Sequence, residues 1–335
     1  MHHSVKRIGV ALAAAAGGVL VLAAGALVVA SFFPSSAPRW GVTFSPDYAR
    51  QLGLDAGAAY HAMLDDLGVR AIRFPLYWDD VERTQGVYDW TDADWYLWDA
   101  GHRGLDVTLV VGARVPRWPE CHIPAWARGL PPEEMEAALL QYVAAAAERF
   151  KDHPAVARWQ VENEPGFTWF GDCPPMPRRV LDAELAAVRA VAAQPVQLTA
   201  SGELQAWAGL ARRADVLGVS MYRRSWNPFF GFITYPVPPS FYRVRAWLVR
   251  PFVEHVVVSE LQAEPWFAGG EDPRDPAFAE RFTPRDLAAN AAYARRTGLP
   301  EAYLWGVEWW YLLKEQGRPE LWEAAKELFL EERAP

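Results

Sequence analysis

Residues Ala157 to Gly166 read ARWQVENEPG. The run begins as an alternating, aromatic-rich strand and stops at Asn163-Glu164-Pro165, because proline has no N–H to continue a ladder. A plain strand end with a turn explains the proline. It leaves unexplained two adjacent polar side chains closing an apolar strand, the arrangement a barrel enzyme uses to carry chemistry at its C-terminal face.

The flanking sequence repeats the pattern. Eight apolar, β-rich runs occur, each followed by helical periodicity: Gly41–Ser45, Ala71–Leu76, Val107–Val115, Ala157–Glu164, Val196–Ser201, Val216–Tyr222, Val256–Glu260 and Ala302–Gly306. Between them lie Ala-, Leu-, Arg- and Glu-rich segments. Pro131 to Phe150 and Thr283 to Arg296 both open with Pro or Thr near acidic residues, as helices do. Near-continuous apolar strands alternating with helices predict a parallel sheet covered on its outside, and eight units predict an α/β fold closed as a (β/α)8 TIM barrel. The fifth unit leaves only about 20 residues between strands, so its helix must be short. An open doubly wound sheet is the alternative, but no glycine-rich dinucleotide fingerprint follows the first strand, where the chain reads GVTFSP.

The 335 residues are 51% hydrophobic, enough for one large core. With a net charge of −8 and no basic block, the footprint of a nucleic-acid binder is missing. Residues Ile8 to Phe33 form an uncharged, Ala-, Val-, Leu- and Gly-rich stretch behind Lys6 and Arg7. Its length favours an uncleaved membrane anchor over a cleaved signal peptide, although Val28-Val29-Ala30 offers a cleavage site. Both readings place the remainder outside the cytoplasm, anchored or secreted. The expected organisation is a signal or transmembrane segment over 1–33, a linker over 34–39 and a catalytic barrel over 40–335, acting as a monomer. Cys121 and Cys173 are the only cysteines. They fall in the loops after strands three and four, adjacent in a barrel, and both loops are stiffened by prolines (WPECHIP and GDCPPMP). A disulfide is expected in an oxidising compartment. No His or Cys set has metal-ligand spacing, and no cofactor is implied.

The strand ends carry Arg73, Arg114, Asn163 with Glu164, Tyr222, Glu260 and Trp305. Each has a bland reading: a barrel-interior ion pair for Arg73, a capping aromatic for Tyr222, plain core for Trp305. The carboxyls of Glu164 and Glu260 make a stronger signal together. They close strands four and seven, which face each other over a barrel mouth. Two carboxyls about 5–5.5 Å apart are what a retaining glycosidase needs. At that distance one must hold its proton while the other stays ionised. This reasoning does not say which is which.

The NEP of Asn163-Glu164-Pro165, Glu260 in VVVSELQAEPW, Trp305 in YLWG and the segment Ile72 to Trp90 (IRFPLYWDDVERTQGVYDW) resemble the retaining glycoside hydrolases of clan A, the family 5 cellulase-like group and its relatives. The likeness runs from about Trp40 to the end of the chain. It implies a general acid/base at Glu164, a nucleophile at Glu260 and a donor to the sugar 2-hydroxyl at Asn163. It further implies that Arg73 and Tyr222 hydrogen bond Glu260 and hold it ionised, and that Trp305 is a stacking floor for the sugar. The implied partner is a β-linked carbohydrate, and hydrolysis is the expected reaction. An envelope-polysaccharide transglycosylase and a non-catalytic glycan-binding barrel stay open, the latter disfavoured by the presence of both acids.

Glu162 is expected on the same strand face as Glu164, paired with Arg73 or Arg114. Glu264 and Glu308 read as ligands of sugar hydroxyls or as loop caps. His122 is the candidate for a histidine of the cellulase-like group. Of the 17 tryptophans, nine (78, 118, 126, 169, 226, 266, 305, 309 and 310) fall just after strands. Flat apolar rings in such loops suit sugars, and Trp266 with Glu264 is taken as substrate-binding. The loop Arg223 to Pro239 is the most apolar of these; substrate wall, lid, membrane-resting surface and packing against its neighbours are all open readings.

Overall fold

The computed structural model describes residues 17–18, 22, 24–227, 229–267 and 271–333. In chain order the elements are β1 (Arg39–Thr43), α1 (Pro46–Gln51), α2 (Ala56–Asp65), β2 (Ala71–Pro75), α3 (Trp78–Val81), α4 (Thr91–His102), β3 (Asp106–Val111), α5 (Pro132–Phe150) and β4 (Val156–Val161). There follow α6 (Arg178–Val191), β5 (Val196–Ser201), α7 (Ala208–Ala211), β6 (Val216–Met221), β7 (Arg224–Asn227), β8 (Gly231–Thr234) and α8 (Pro239–Val249). The last elements are β9 (His255–Gln262), α9 (Pro284–Thr297), β10 (Glu301–Trp305), α10 (Val307–Glu315) and α11 (Glu320–Arg333).

Eight strands close a parallel barrel in the order β1-β10-β9-β6-β5-β4-β3-β2. All eight expected runs are barrel strands, and the expected short helix of the fifth unit is α7, a single turn. The outer faces of the strands and the inner faces of the helices share one hydrophobic core. Burying aliphatic and aromatic side chains there drives closure at roughly 25 cal/mol per Å² of apolar surface. The helices start where the sequence signals them. Thr283 and Asp286 make reciprocal capping bonds at the head of α9, and Gly298 ends it in the left-handed conformation.

The loop Arg223 to Pro239 holds an element the strand count left out: β7 and β8 pair as an antiparallel hairpin standing on the C-terminal face. Phe229 and Phe230 at its tip are exposed.

Half of the apolar N-terminal stretch Ile8 to Phe33 lies outside the described residues. Among the described residues no helix is long and apolar enough to cross a membrane. Where the stretch ends, it is docked on the barrel: Arg243 of α8 donates to the carbonyls of Ala30 (3.1 Å) and Pro34 (3.0 Å), and Phe33 meets Trp247 edge to face at 5.1 Å.

Candidate active site

The mouth is built on a polar layer inside the barrel. Arg73, fully buried on β2, spreads its guanidinium over three partners. It donates to Gln160 Oε1 (2.8 Å), Asn163 Oδ1 (2.7 Å) and Glu260 Oε1 (2.7 Å). Tyr222 donates its hydroxyl to the other oxygen of Glu260 at 3.2 Å. Glu260 therefore has a guanidinium on one carboxyl oxygen and a hydroxyl on the other.

Glu164 sits differently. It is buried, and its carboxyl receives one hydroxyl, that of Ser220, at 2.6 Å. Burial first, and then the charge of Glu260, push its pKa up to about 8. The charge of Glu260 thus acts on Glu164, and burial favours the protonated form of Glu164. The backbone that presents Glu164 is unusual: Glu162 and Glu164 have φ of 59° and 44° on either side of Asn163. Left-handed φ at a non-glycine residue costs of order 1–3 kcal/mol and persists only where neighbours impose it. Here Thr199 imposes it, accepting from Glu164 N (2.7 Å) while donating to Asn163 Oδ1 (3.1 Å).

The first of those kinks corrects the expectation for Glu162. The strand ends at Val161, and the turn at Glu162 breaks the two-residue alternation, so its carboxyl leaves the barrel and meets Glu184 of α6. Among the described residues no arginine side chain forms an ion pair with it. Instead it accepts from the backbone N–H groups of Ala113 (2.7 Å) and Arg114 (2.8 Å). Gly112 makes room for it: a Cβ there would lie 2.4 Å from Glu162 Oε1.

Sequence reasoning missed Glu120. It lies in the loop after β3, beside the cis peptide Trp118–Pro119, and is buried. Its carboxylate accepts from Asn163 Nδ2 at 2.9 Å and lies 3.6 Å from Arg114 Nε. Burial and the charge of Glu260 raise it to about 7. The mouth thus holds three carboxyls. Between them Arg73, Thr199 and Glu120 fix the Asn163 amide, leaving one N–H of Nδ2 without a partner among the described residues. The available signal was position: Glu120 directly precedes Cys121, whose disulfide with Cys173, present as expected with a Cα separation of 5.2 Å, ties the loops after β3 and β4 together.

Glu264 and Glu308 lie beside this centre, both buried and both salt-bridged to Arg117 at 2.6 Å. Glu308 also accepts from Ser45 N at 2.6 Å. Burial is the main force raising both carboxyls. Their first partners are protein groups, which makes them braces between the loops after β1, β3, β9 and β10. The Arg117 guanidinium lies 4.2 Å from the Trp305 ring centroid and 3.9 Å from that of Tyr48, so one face of Trp305 is already occupied by a cation. His122 stacks on Tyr77 at 4.2 Å and reaches the carbonyl of Arg117, with no bond to the acid pair among the described residues.

The tryptophans divide. Trp78, Trp309 and Trp310 are fully buried core, a correction to their reading as mouth residues: each lies in the first turn of a helix and is covered there. Trp118 and Trp169 are exposed, at 63% and 80%. Trp266 stands edge-on to Tyr222 at 5.5 Å and to Phe170 at 5.3 Å, within reach of the centre. Among the described residues no cluster of His, Cys, Asp and Glu is placed to hold a metal ion.

No protein-family model matches the sequence, and no curated protein matches it. Solved structures do. The chain is similar to an exo-β-1,4-mannosidase from Opitutaceae bacterium strain TAV5 over 90% of its own length, with a TM-score of 0.61 and 16% identity. It spans 61% of that mannosidase chain. A GH5_18 protein from Bifidobacterium longum subsp. longum gives 0.58 at 16% identity, covering 90% of this chain and 80% of that one. Endo-glycoceramidase II from Rhodococcus sp. gives 0.52 at 18% identity, covering 81% and 73%. At these identities the likeness establishes the (β/α)8 fold.

Proposed function

We propose that this chain is a retaining glycoside hydrolase acting on a β-linked glycan, with Glu260 as nucleophile and Glu164 as general acid/base. The observation that carries the reading is the unequal environment of the two acids: Glu260 is held by Arg73 and Tyr222, whereas Glu164 has a lone serine hydroxyl and a raised pKa. The names of the similar structures, a mannosidase and an endo-glycoceramidase among them, belong to the same kind of enzyme.

In the first step Glu164 gives its proton to the glycosidic oxygen while a Glu260 oxygen bonds the anomeric carbon and the glycosidic C–O bond breaks. This leaves a glycosyl ester on Glu260 and an ionised Glu164. In the second, Glu164 takes a proton from water as the water oxygen attacks the anomeric carbon, and the ester bond to Glu260 breaks. Two inversions give net retention. Asn163 offers its free N–H to the sugar 2-hydroxyl. The disulfide supports an oxidising location outside the cytoplasm, with the apolar stretch Ile8 to Phe33 as signal or anchor.

The test is to incubate the protein with activated 2-deoxy-2-fluoro-β-glycosides of several sugars and map the adduct by peptide mass spectrometry. The fluorine slows both steps and the leaving group rescues only the first, so the ester accumulates. A label on Glu260 is expected; a label on Glu264, or none with any sugar, overturns the assignment.

A further inference from the structure

Two clefts open at the barrel mouth, and their charges are opposite. On the side of β1 to β3, a cleft of about 670 Å³ carries Asp47, Asp79, Asp80, Asp89 and Asp92 against Arg50, Arg83 and Arg117, an acidic balance. On the side of β6 and β9, a cleft of about 460 Å³ lies between the β7–β8 hairpin and the head of α9, lined by Arg223, Arg224, Arg281 and Trp266. Neither Arg223 nor Arg224 has a carboxylate within ion-pair distance among the described residues. Arg223 lies over the Tyr293 ring and reaches the carbonyl of Val237 at 3.4 Å. The charge it feels is that of half-buried Glu203, whose carboxyl already accepts from Tyr242. Arg224 lies over Phe232.

The three arginines of the catalytic mouth each have a carboxylate: Arg73 has Glu260, Arg114 has Glu120, and Arg117 has Glu264 and Glu308. The third arginine of the cleft, Arg281, is bridged to Glu271 at 2.7 Å. The acid in the cleft wall, Asp286, is spent on the α9 cap, accepting from Thr283 N and Oγ1. The cleft is also built. Gln262 accepts from Arg224 N (2.9 Å) and donates to Arg224 O (2.7 Å), clamping the hairpin to the end of β9, while Asn290 donates to the Gln262 carbonyl at 2.8 Å.

We propose that this cleft binds an anionic substituent of the glycan, the carboxylate of a uronic acid or a sulfate or phosphate ester, with Trp266 stacking on the sugar that bears it. The proposal rests on the glycosidase reading and names a substrate class for it. Guanidinium groups match such oxyanions with paired N–H donors, and two of them here have no carboxylate within ion-pair distance among the described residues. Trp266 connects the cleft to the chemistry, since Tyr222, against which it packs, donates to Glu260.

Binding is measured on the intact protein by isothermal titration calorimetry and Trp fluorescence. The probes are oligogalacturonate and oligoglucuronate, each beside its carboxyl-reduced form, with a sulfated oligosaccharide as a further arm. Expected is binding of at least one anionic probe at least tenfold tighter than its neutral counterpart, weakening from 20 to 200 mM salt. Arg224→Gln, on the exposed hairpin, removes about tenfold of that preference, and Arg223→Gln serves as an independent second variant. Which anionic arm binds identifies the group. Equal binding of acidic and reduced forms, no binding of any anionic probe, or an unchanged preference in both folded variants overturns the proposal. A labelled Glu260 without anion preference sinks the cleft alone. Anion binding without any labelling sinks the glycosidase reading alone.

Discussion

The end of β4 presents two glutamates two positions apart, and they go to opposite sides of the sheet. Glu164 enters the mouth and faces Glu260. Glu162 turns out toward α6 and faces Glu184, which is fully buried and has no N–H or hydroxyl donor on either carboxyl oxygen. The acidic neighbour of Glu184 is Glu162, and burial raises both carboxyls. Burial first, and the charge of Glu162 second, hold Glu184 well above the ordinary carboxylate range. Both regions therefore contain a buried glutamate pair with a raised pKa. The difference is what surrounds them. Glu260 has a cation and a tyrosine hydroxyl that let one partner remain charged at the open mouth. Glu162 spends its oxygens on two backbone N–H groups beneath it. A perturbed acid is thus a sign of burial, and only the open side with a stabilised anion makes it a site of chemistry.

The largest effect expected of this contrast is on turnover. On the proposed mechanism Glu260→Ala is expected to lower it by at least about 10⁴-fold, since that mechanism makes Glu260 the nucleophile. Azide or formate should restore activity with an inverted product by attacking from the vacated face. Glu164→Ala should still be glycosylated by substrates with good leaving groups and give a retained β-azide. Anomeric configuration read by NMR distinguishes the two. Retained product from the Glu260 variant would exchange their roles.

Next in size is the pair's structural counterpart. Glu162→Ala orphans the N–H groups of Ala113 and Arg114, each worth about 1–3 kcal/mol when buried and unpaired. A drop of several degrees in melting temperature is expected, with whatever activity remains unresponsive to azide. Undiminished stability together with azide rescue would place Glu162 in the chemistry and erase the contrast.

The smallest effect is expected from Glu184→Gln, which keeps shape and neutrality. A buried acid whose folded pKa is raised binds more protons folded than unfolded, so its contribution to stability is lost as pH rises above the ordinary carboxylate range toward the folded value. The amide has no proton to lose. The difference in melting temperature between variant and wild type should therefore move in the variant's favour between about pH 5 and pH 9. A difference constant across that range would mean that Glu184 stays charged in the fold.

Much of this molecule was legible locally. Alternation and apolar runs marked all eight barrel strands, Pro and Thr marked the heads of α5 and α9, and a strand stopping at Asn-Glu-Pro marked the mouth. The cysteine pairing followed once adjacent loops were assumed. These features are written in neighbouring residues, because strand and helix periodicities and turn chemistry act over a few positions. Tertiary structure decided the rest. One left-handed φ at Glu162 reversed the direction of its side chain, which a period-two reading cannot foresee. Glu120 reached Asn163, and Arg117 reached Glu264, Glu308 and the Trp305 face, across loops from distant strands. Trp78, Trp309 and Trp310 went into the core while Trp266 stayed at the mouth, because packing space between helices and sheet, not sequence position, sets which rings are covered.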